Sequence, residues 1–144
     1  MRVVSVMLAL AAHAGMSSTP SDRLQSCPRT PNCVSTQAEP AEQRMDPIPY
    51  DGKRQKALAQ LLEILASEPR VTVEKTDERY IHAVFTSALF RFKDDVEFLF
   101  DSERQLIHFR SASRVGRSDM GVNRKRMMRL ASRFSEAQAE VSSP

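Results

Sequence analysis

The chain has 144 residues, a formal net charge of +3, 41% hydrophobic and 27% charged residues, four Gly and eight Pro. That length suits one domain around a single core, and the composition excludes a disordered chain, a membrane bundle and collagen-like or linker sequence. No motif specifies a reaction, so function has to be approached through compartment, sheet register and one unusual polar segment.

Met1-Arg2, the apolar run Val3 to Ala11 and the small-x-small triplet Ala12-His13-Ala14 have the order of a secretory signal peptide over residues 1–14, with cleavage after Ala14. The run is well short of the roughly 20 residues that span a bilayer, so no transmembrane span is expected in the mature chain. The expected location is exported, periplasmic or envelope-associated. Leu24-Gln25-Ser26 before Cys27 resembles a lipid-attachment site, but Asp22 and Arg23 interrupt the approach from the apolar run and argue against it. Cys27 and Cys33 are the only cysteines, and in an exported chain they can close a disulfide loop that Pro28 and Pro31 stiffen. Two unpaired thiols are the alternative. Without nearby histidines they fall short of the about four ligands of a closed zinc shell, so neither metal nor cofactor is expected.

Residues 15–50 are expected as an extended arm, because Pro, Ser, Thr and Gln dominate from Ser17 to Pro49. An α+β domain is expected over residues 51–138. Asp51 is expected to cap a helix running to about Ser67, in which Leu58, Leu61, Leu62 and Leu65 recur at helical spacing, and Pro69 ends it. Val71 to Lys75 and Tyr80 to Thr86 read as a hairpin around Asp77-Glu78 in which two registers fit, so His82 can face either side.

From Phe90 to Phe100 the even positions are Phe90, Phe92, Asp94, Val96, Phe98 and Phe100, a core face interrupted by Asp94 alone. A two-residue turn at Ser102-Glu103, or a four-residue loop over 101–104, sets Phe98 opposite Ile107, Val96 opposite Phe109, Asp94 opposite Ser111 and Phe92 opposite Ser113. On the outer face it sets Asp95 against Arg110, Glu97 against His108 and Asp101 against Arg104. A last helix is expected from about Asn123 to about Ala137, with Met127, Leu130, Ala131 and Phe134 buried and Lys125, Arg129 and Arg133 solvated. Residues 139–144 are expected as a frayed tail. The expected fold class is therefore α+β: helix, four-stranded antiparallel meander, helix, with an extended N-terminal arm and both helices on one face of the sheet.

Charge is unevenly distributed. Residues 1–38 carry three basic and one acidic side chain, residues 39–103 nine and fourteen, and residues 104–144 nine and three. Either the acidic middle meets the basic end in the fold, or the basic end meets an external anion. The segment Arg110 to Arg126 sharpens that choice, since Arg124, Lys125 and Arg126 occupy a first helical turn, where the helix dipole disfavours each cation by about 0.3 to 1 kcal/mol.

One reading makes Ser113, Arg114, Ser118, Asn123, Arg124 and Arg126 a site for an anionic group, aided by the unpaired amides of the helix start. The other is an internal clasp. A buried Asp94 needs a partner, Ser111 with Arg114 or Arg124 would supply it, Gly116 and Gly121 provide turn angles, and Asn123 or Asp119 caps the helix.

Cys27-Pro28-x-x-Pro31-Asn32-Cys33-Val34-Ser35, then Phe92-x-Asp94-Asp95-Val96-Glu97, then Arg110-Ser111-x-Ser113-Arg114-x-Gly116-x-x-Asp119-x-Gly121-x-Asn123-x-x-Arg126 together resemble the family called domain of unknown function 1499 (DUF1499). The resemblance covers about Cys27 to Phe134. It implies no transferable activity, and it implies an exported or membrane-associated setting.

Three functional classes compete. The preferred one is a non-catalytic binding or accessory module of the cell envelope, whose partner is an anionic small molecule or envelope component. The second is a hydrolase-like enzyme using Asp94 with Ser111 or Ser113, although neighbouring Asp94 and Asp95 fall on opposite faces and cannot form a dyad, and His82 is only a loose candidate base. Nucleic-acid binding ranks last: residues 104–133 hold nine cations against Asp119, but base-stacking aromatics are nearly absent there.

Overall fold

The computed structural model describes residues 23–144; the expected signal peptide lies outside them. Its elements run β1 (Cys33–Ser35), β2 (Ile48–Pro49), α1 (Arg54–Ser67), β3 (Val71–Thr76), β4 (Tyr80–Thr86), β5 (Lys93–Asp101), β6 (Leu106–Ser113) and α2 (Val122–Ser142). The expected meander is β3 to β6. It is extended to six strands because the arm contributes β1 and β2, both antiparallel to β6, giving the order β1-β6-β5-β4-β3 with β2 also on β6. The arm is thus part of the sheet rather than a strip leading to it. An edge strand with unpaired amides is a template for pairing, and two short segments of the arm pair with β6.

One apolar layer lies between the sheet and both helices. Ile81, Ala83, Phe85, Val96, Phe98, Phe100, Ile107 and Phe109 from the strands meet Ala57, Leu61 and Leu65 of α1 and Met127, Leu130 and Phe134 of α2. Leu58 and Leu62 pack only at its margin, and Ile64 takes the inward place that their spacing suggested for them. Asp51 does not cap α1. The cap position is Lys53, without a side-chain bond, and the Asp51 N–H donates instead to Gln138 Oε1 at 2.7 Å. That contact helps to hold the end of α2, which continues to Ser142 rather than stopping near Ala137.

The β5–β6 register differs from the expected one by two residues: Phe98 faces Phe109, Phe100 faces Ile107, Val96 faces Ser111 and Asp94 faces Ser113. Asp101 is the reason. Its Oδ1 accepts the N–H groups of Glu103 (3.0 Å) and Arg104 (3.1 Å), so the carboxylate closes the turn from the strand end. Gln105 takes a positive φ of 53°, and Leu106 becomes the first paired residue of β6. A two-residue shift leaves every side chain on its expected face, which is why the core survives the error.

Phe90 and Phe92 are a second departure. The ladder stops at Lys93, because the Ser87 N–H donates to the Phe92 carbonyl and the Phe92 N–H donates to Ser87 Oγ, both at 2.9 Å, closing a loop over 88–91. Both rings lie outside the core.

Candidate functional site

The polar segment between β6 and α2 folds back over the core face of the sheet at Asp94. Asn123 and Arg126 are three residues apart on α2 and therefore point the same way. Arg126 Nη2 donates to Asp94 Oδ2 at 2.6 Å, and its Nη1 donates to Asn123 Oδ1 at 2.7 Å and to Ser111 Oγ at 3.1 Å. The guanidinium also lies 4.7 Å from the centre of the Phe85 ring. Ser111 Oγ donates to Asn123 Oδ1 at 2.6 Å. Asn123 Nδ2 is shared among Asp119 Oδ2 (2.7 Å), Ser113 Oγ (3.0 Å) and the Asn32 carbonyl (3.3 Å). Asn123 is 0% exposed, and Asp94 and Arg126 are each 8% exposed. A fully buried amide with every polar atom engaged has no capacity left for a ligand.

Asp119 organises the helix start. The cap position is Gly121, at a φ of 78° that a side chain would strain. Asp119 Oδ1 accepts the Gly121 N–H at 2.9 Å, and Oδ2 accepts the Asn123 N–H at 3.1 Å. Burial works to raise the Asp119 carboxyl, but the bonds from the Asn123 side chain and from these N–H groups outweigh it and hold the group below the usual carboxylate range. Capping thus falls to Asp119 rather than Asn123. Gly116, with a φ of 82°, accepts the Asn32 side-chain amide at its carbonyl (2.8 Å). Asn32, in the arm, returns its own carbonyl to the Ser113 N–H at 3.0 Å. In the sequence this asparagine stood only as a position of the Cys27-to-Ser35 motif, with no contact expected of it.

The other candidates lie outside this cluster. Arg124 does not reach Asp94; its Nη2 donates to the Glu42 carbonyl of the arm at 2.7 Å. Arg114 does not reach it either, because it leaves on the opposite face and grips Asp95 with two bonds of 2.8 and 2.9 Å. Ser118 is exposed and accepts the Met120 N–H at 3.4 Å. Asp95 also bonds His82 Nε2 at 2.8 Å, which settles the orientation of His82 away from the core. The Arg114 bonds are the main cause holding the Asp95 carboxyl below its ordinary range; burial opposes them and the His82 bond assists.

Glu97 and Arg110 were expected on a solvated face and are buried instead, joined at 3.4 Å, with Tyr80 Oη donating to Glu97 at 2.8 Å. The arm covers this face: Leu24 packs with Tyr80 and Leu99, and a disulfide joins Cys27 to Cys33 of β1. Glu97 therefore faces Arg110, not His108. His108 Nδ1 lies 3.1 Å from Thr36 Oγ1, and burial pushes its pKa below the usual imidazole value.

That shift makes a prediction with a definite sign. On acidification the unfolded chain takes up a proton at His108 before the folded chain does, so this contribution to stability is present above about pH 6.5 and is lost as pH falls through the lower folded value. His108→Gln should flatten the fall in unfolding free energy between about pH 7 and pH 5. An unchanged slope in urea titrations at the two pH values would refute it.

The arrangement offers a hydrolase little. The Ser111 proton is directed at an amide oxygen rather than a base, and Asp94 is bound to a guanidinium on the face opposite His82. Among the described residues no group of three or more His, Cys, Asp and Glu side chains is placed to hold a metal ion, and no helix is long and apolar enough to cross a membrane. The sequence model of the family described as protein of unknown function (DUF1499) matches residues 23–134. No curated protein matches the chain.

Proposed function

Because the chain belongs to the DUF1499 family, whose description assigns no activity, we propose from the geometry a non-catalytic binding or accessory module of the cell envelope. The full engagement of buried Asn123 carries the reading. Ser111, Ser113, Asp94, Asp119, Asn123 and Arg126 act as an internal clasp that fixes the loop over 114–121 to the sheet and to the arm. Binding of an anionic group then falls to the rim that this clasp holds in place, where Arg117 and Lys125 are exposed and make no ion pair or side-chain hydrogen bond among the described residues, beside Ser118. The Cys27–Cys33 disulfide supports export, since such bonds persist in oxidising compartments.

Thermal and urea unfolding separate the two layers. Asn123→Ala orphans the Ser111 hydroxyl and one Arg126 donor in the core and should cost about 2 to 3 kcal/mol. Arg117→Ala with Lys125→Ala should leave the melting temperature unchanged and abolish the stabilisation that added phosphate or sulfate gives the wild type. A stable Asn123→Ala variant would end the clasp. Ester or phosphate turnover abolished by Asp94→Asn but retained in Asp95→Asn would replace this reading with the hydrolase.

A further inference from the structure

We propose that the loop over 88–91, with the neighbouring rim of α2, docks the protein on an anionic lipid surface, an inference that rests on the envelope-module reading and names its partner. Of the nine large hydrophobic residues exposed among those described, six fall in two short segments: Leu89, Phe90 and Phe92, and Val115, Met120 and Val122. Both segments lie at one end of the sheet. The Arg114 N–H donates to the Lys93 carbonyl at 3.0 Å, and a groove of about 360 Å³ has Ser87 and Ala88 on one side and Val122 and Lys125 on the other.

The tip is built to project. Ser87 and Phe92 close the loop through backbone and hydroxyl, independently of what the side chains between them do. Leu89 and Phe90 stand at its crest, 79% and 70% exposed, and the Phe90 ring stacks on Phe92 with centres 5.6 Å apart. Large rings held out in water in this way need an apolar neighbour. A protein partner of ordinary size requires about 800 Å² of matched surface per side, more than a two-residue crest offers. A bilayer accepts such a crest without a complementary pocket, with aromatic rings at headgroup depth.

Charge selects the kind of bilayer. Arg91 and Lys93 flank the rings, Arg117 and Lys125 lie on the rim, and none of the four has an acidic partner among the described residues. The acids nearby lie against other cations or amides: Glu68 against Arg129 and Arg133, Asp94 against Arg126, Asp95 and the exposed Glu74 against Arg114, and Asp119 against the helix start. The end of the molecule therefore presents uncompensated positive charge around an apolar crest, which complements an anionic leaflet.

The chain has no Trp, so Phe90→Trp in the full chain reports on the loop alone, whatever residues 1–22 do. Its emission should shift to the blue on adding phosphatidylglycerol vesicles and remain unshifted with phosphatidylcholine vesicles. Arg91→Glu with Lys93→Glu in that background should weaken the response at least about tenfold, with an unchanged melting temperature as the control for folding. No shift, or equal shifts with both lipids, would overturn the proposal, as would a shift that appears on raising protein concentration without lipid, which would mean that a second copy covers the crest. If the tryptophan is silent while phosphate still stabilises the wild type but not Arg117→Ala with Lys125→Ala, lipid docking fails and the anion-binding module stands. If both responses are missing, both fail.

Discussion

Arg126→Ala is expected to lower the free energy of unfolding by about 3 to 5 kcal/mol, measured by urea titration near neutral pH. The guanidinium is the counter-charge that makes a carboxylate tolerable on the core face at position 94, and it supplies donors to Ser111 and Asn123 as well. Truncation therefore leaves a buried anion, a Ser111 oxygen without its donor, an Asn123 carbonyl with one donor instead of two, and a void against Phe85. Arg126→Lys keeps the charge but cannot fork to three acceptors, and should fall between the two. Asp94→Ala combined with Arg126→Ala should cost less than the sum of the single changes, because each single change strands the other partner. Arg114→Ala is the contrast: its pair with Asp95 has two bonds where Arg126 makes one to Asp94, yet it lies on an exposed side chain and should move the melting temperature little. Equal effects from Arg126→Ala and Arg114→Ala would show that the Asp94 pair is solvated and holds nothing together.

Asp94 was legible because it interrupts an otherwise apolar alternation, and alternation is a property of the strand itself. Its partner was not. Arg126 is three residues from Asn123 in a helical run of cations; the helical period already sets Lys125 on the exposed face, but only the packing of α2 against the sheet distinguishes Arg126 from Arg124, which reaches the arm. The helix dipole disfavours all three cations, and what offsets it at Arg126 is a carboxylate 32 residues away in the chain. Register failed for a local reason, since Asp101 bonding to two turn amides moves the closure by two positions while leaving each face intact. The apolar period ran on through Phe90 and Phe92 because periodicity carries no mark of where pairing ends; a serine hydroxyl and one backbone bond end it. The strands of the arm have three and two residues, too short for any period, and their place depends wholly on the edge of β6.

The arm changes the surroundings of Glu97. Alternation assigned it to a solvated outer face, and the arm buries it with Arg110 and Tyr80. Glu97→Ala is therefore expected to destabilise the fold by about 3 kcal/mol or more, because Arg110 would be left charged and buried. Arg110 Nε already has no hydrogen-bond partner among the described residues, so the pair is under-satisfied as it stands. Replacing both members with apolar residues, Glu97→Met with Arg110→Leu, should consequently recover most of that loss.

Tyr80 provides an independent readout. Burial first, and then its bond to Glu97, raise the phenol above its usual range. The unfolded chain thus releases this proton at lower pH than the folded one, and the stability it contributes is present below about pH 10 and lost as pH rises through the folded value. Tyr80→Phe should flatten that alkaline loss in wild type and have a smaller effect beside Glu97→Ala. If Glu97→Ala leaves stability unchanged while phenol titration still begins late, the arm does not seal this face in solution, and burial by residues other than the arm would have to explain the tyrosine.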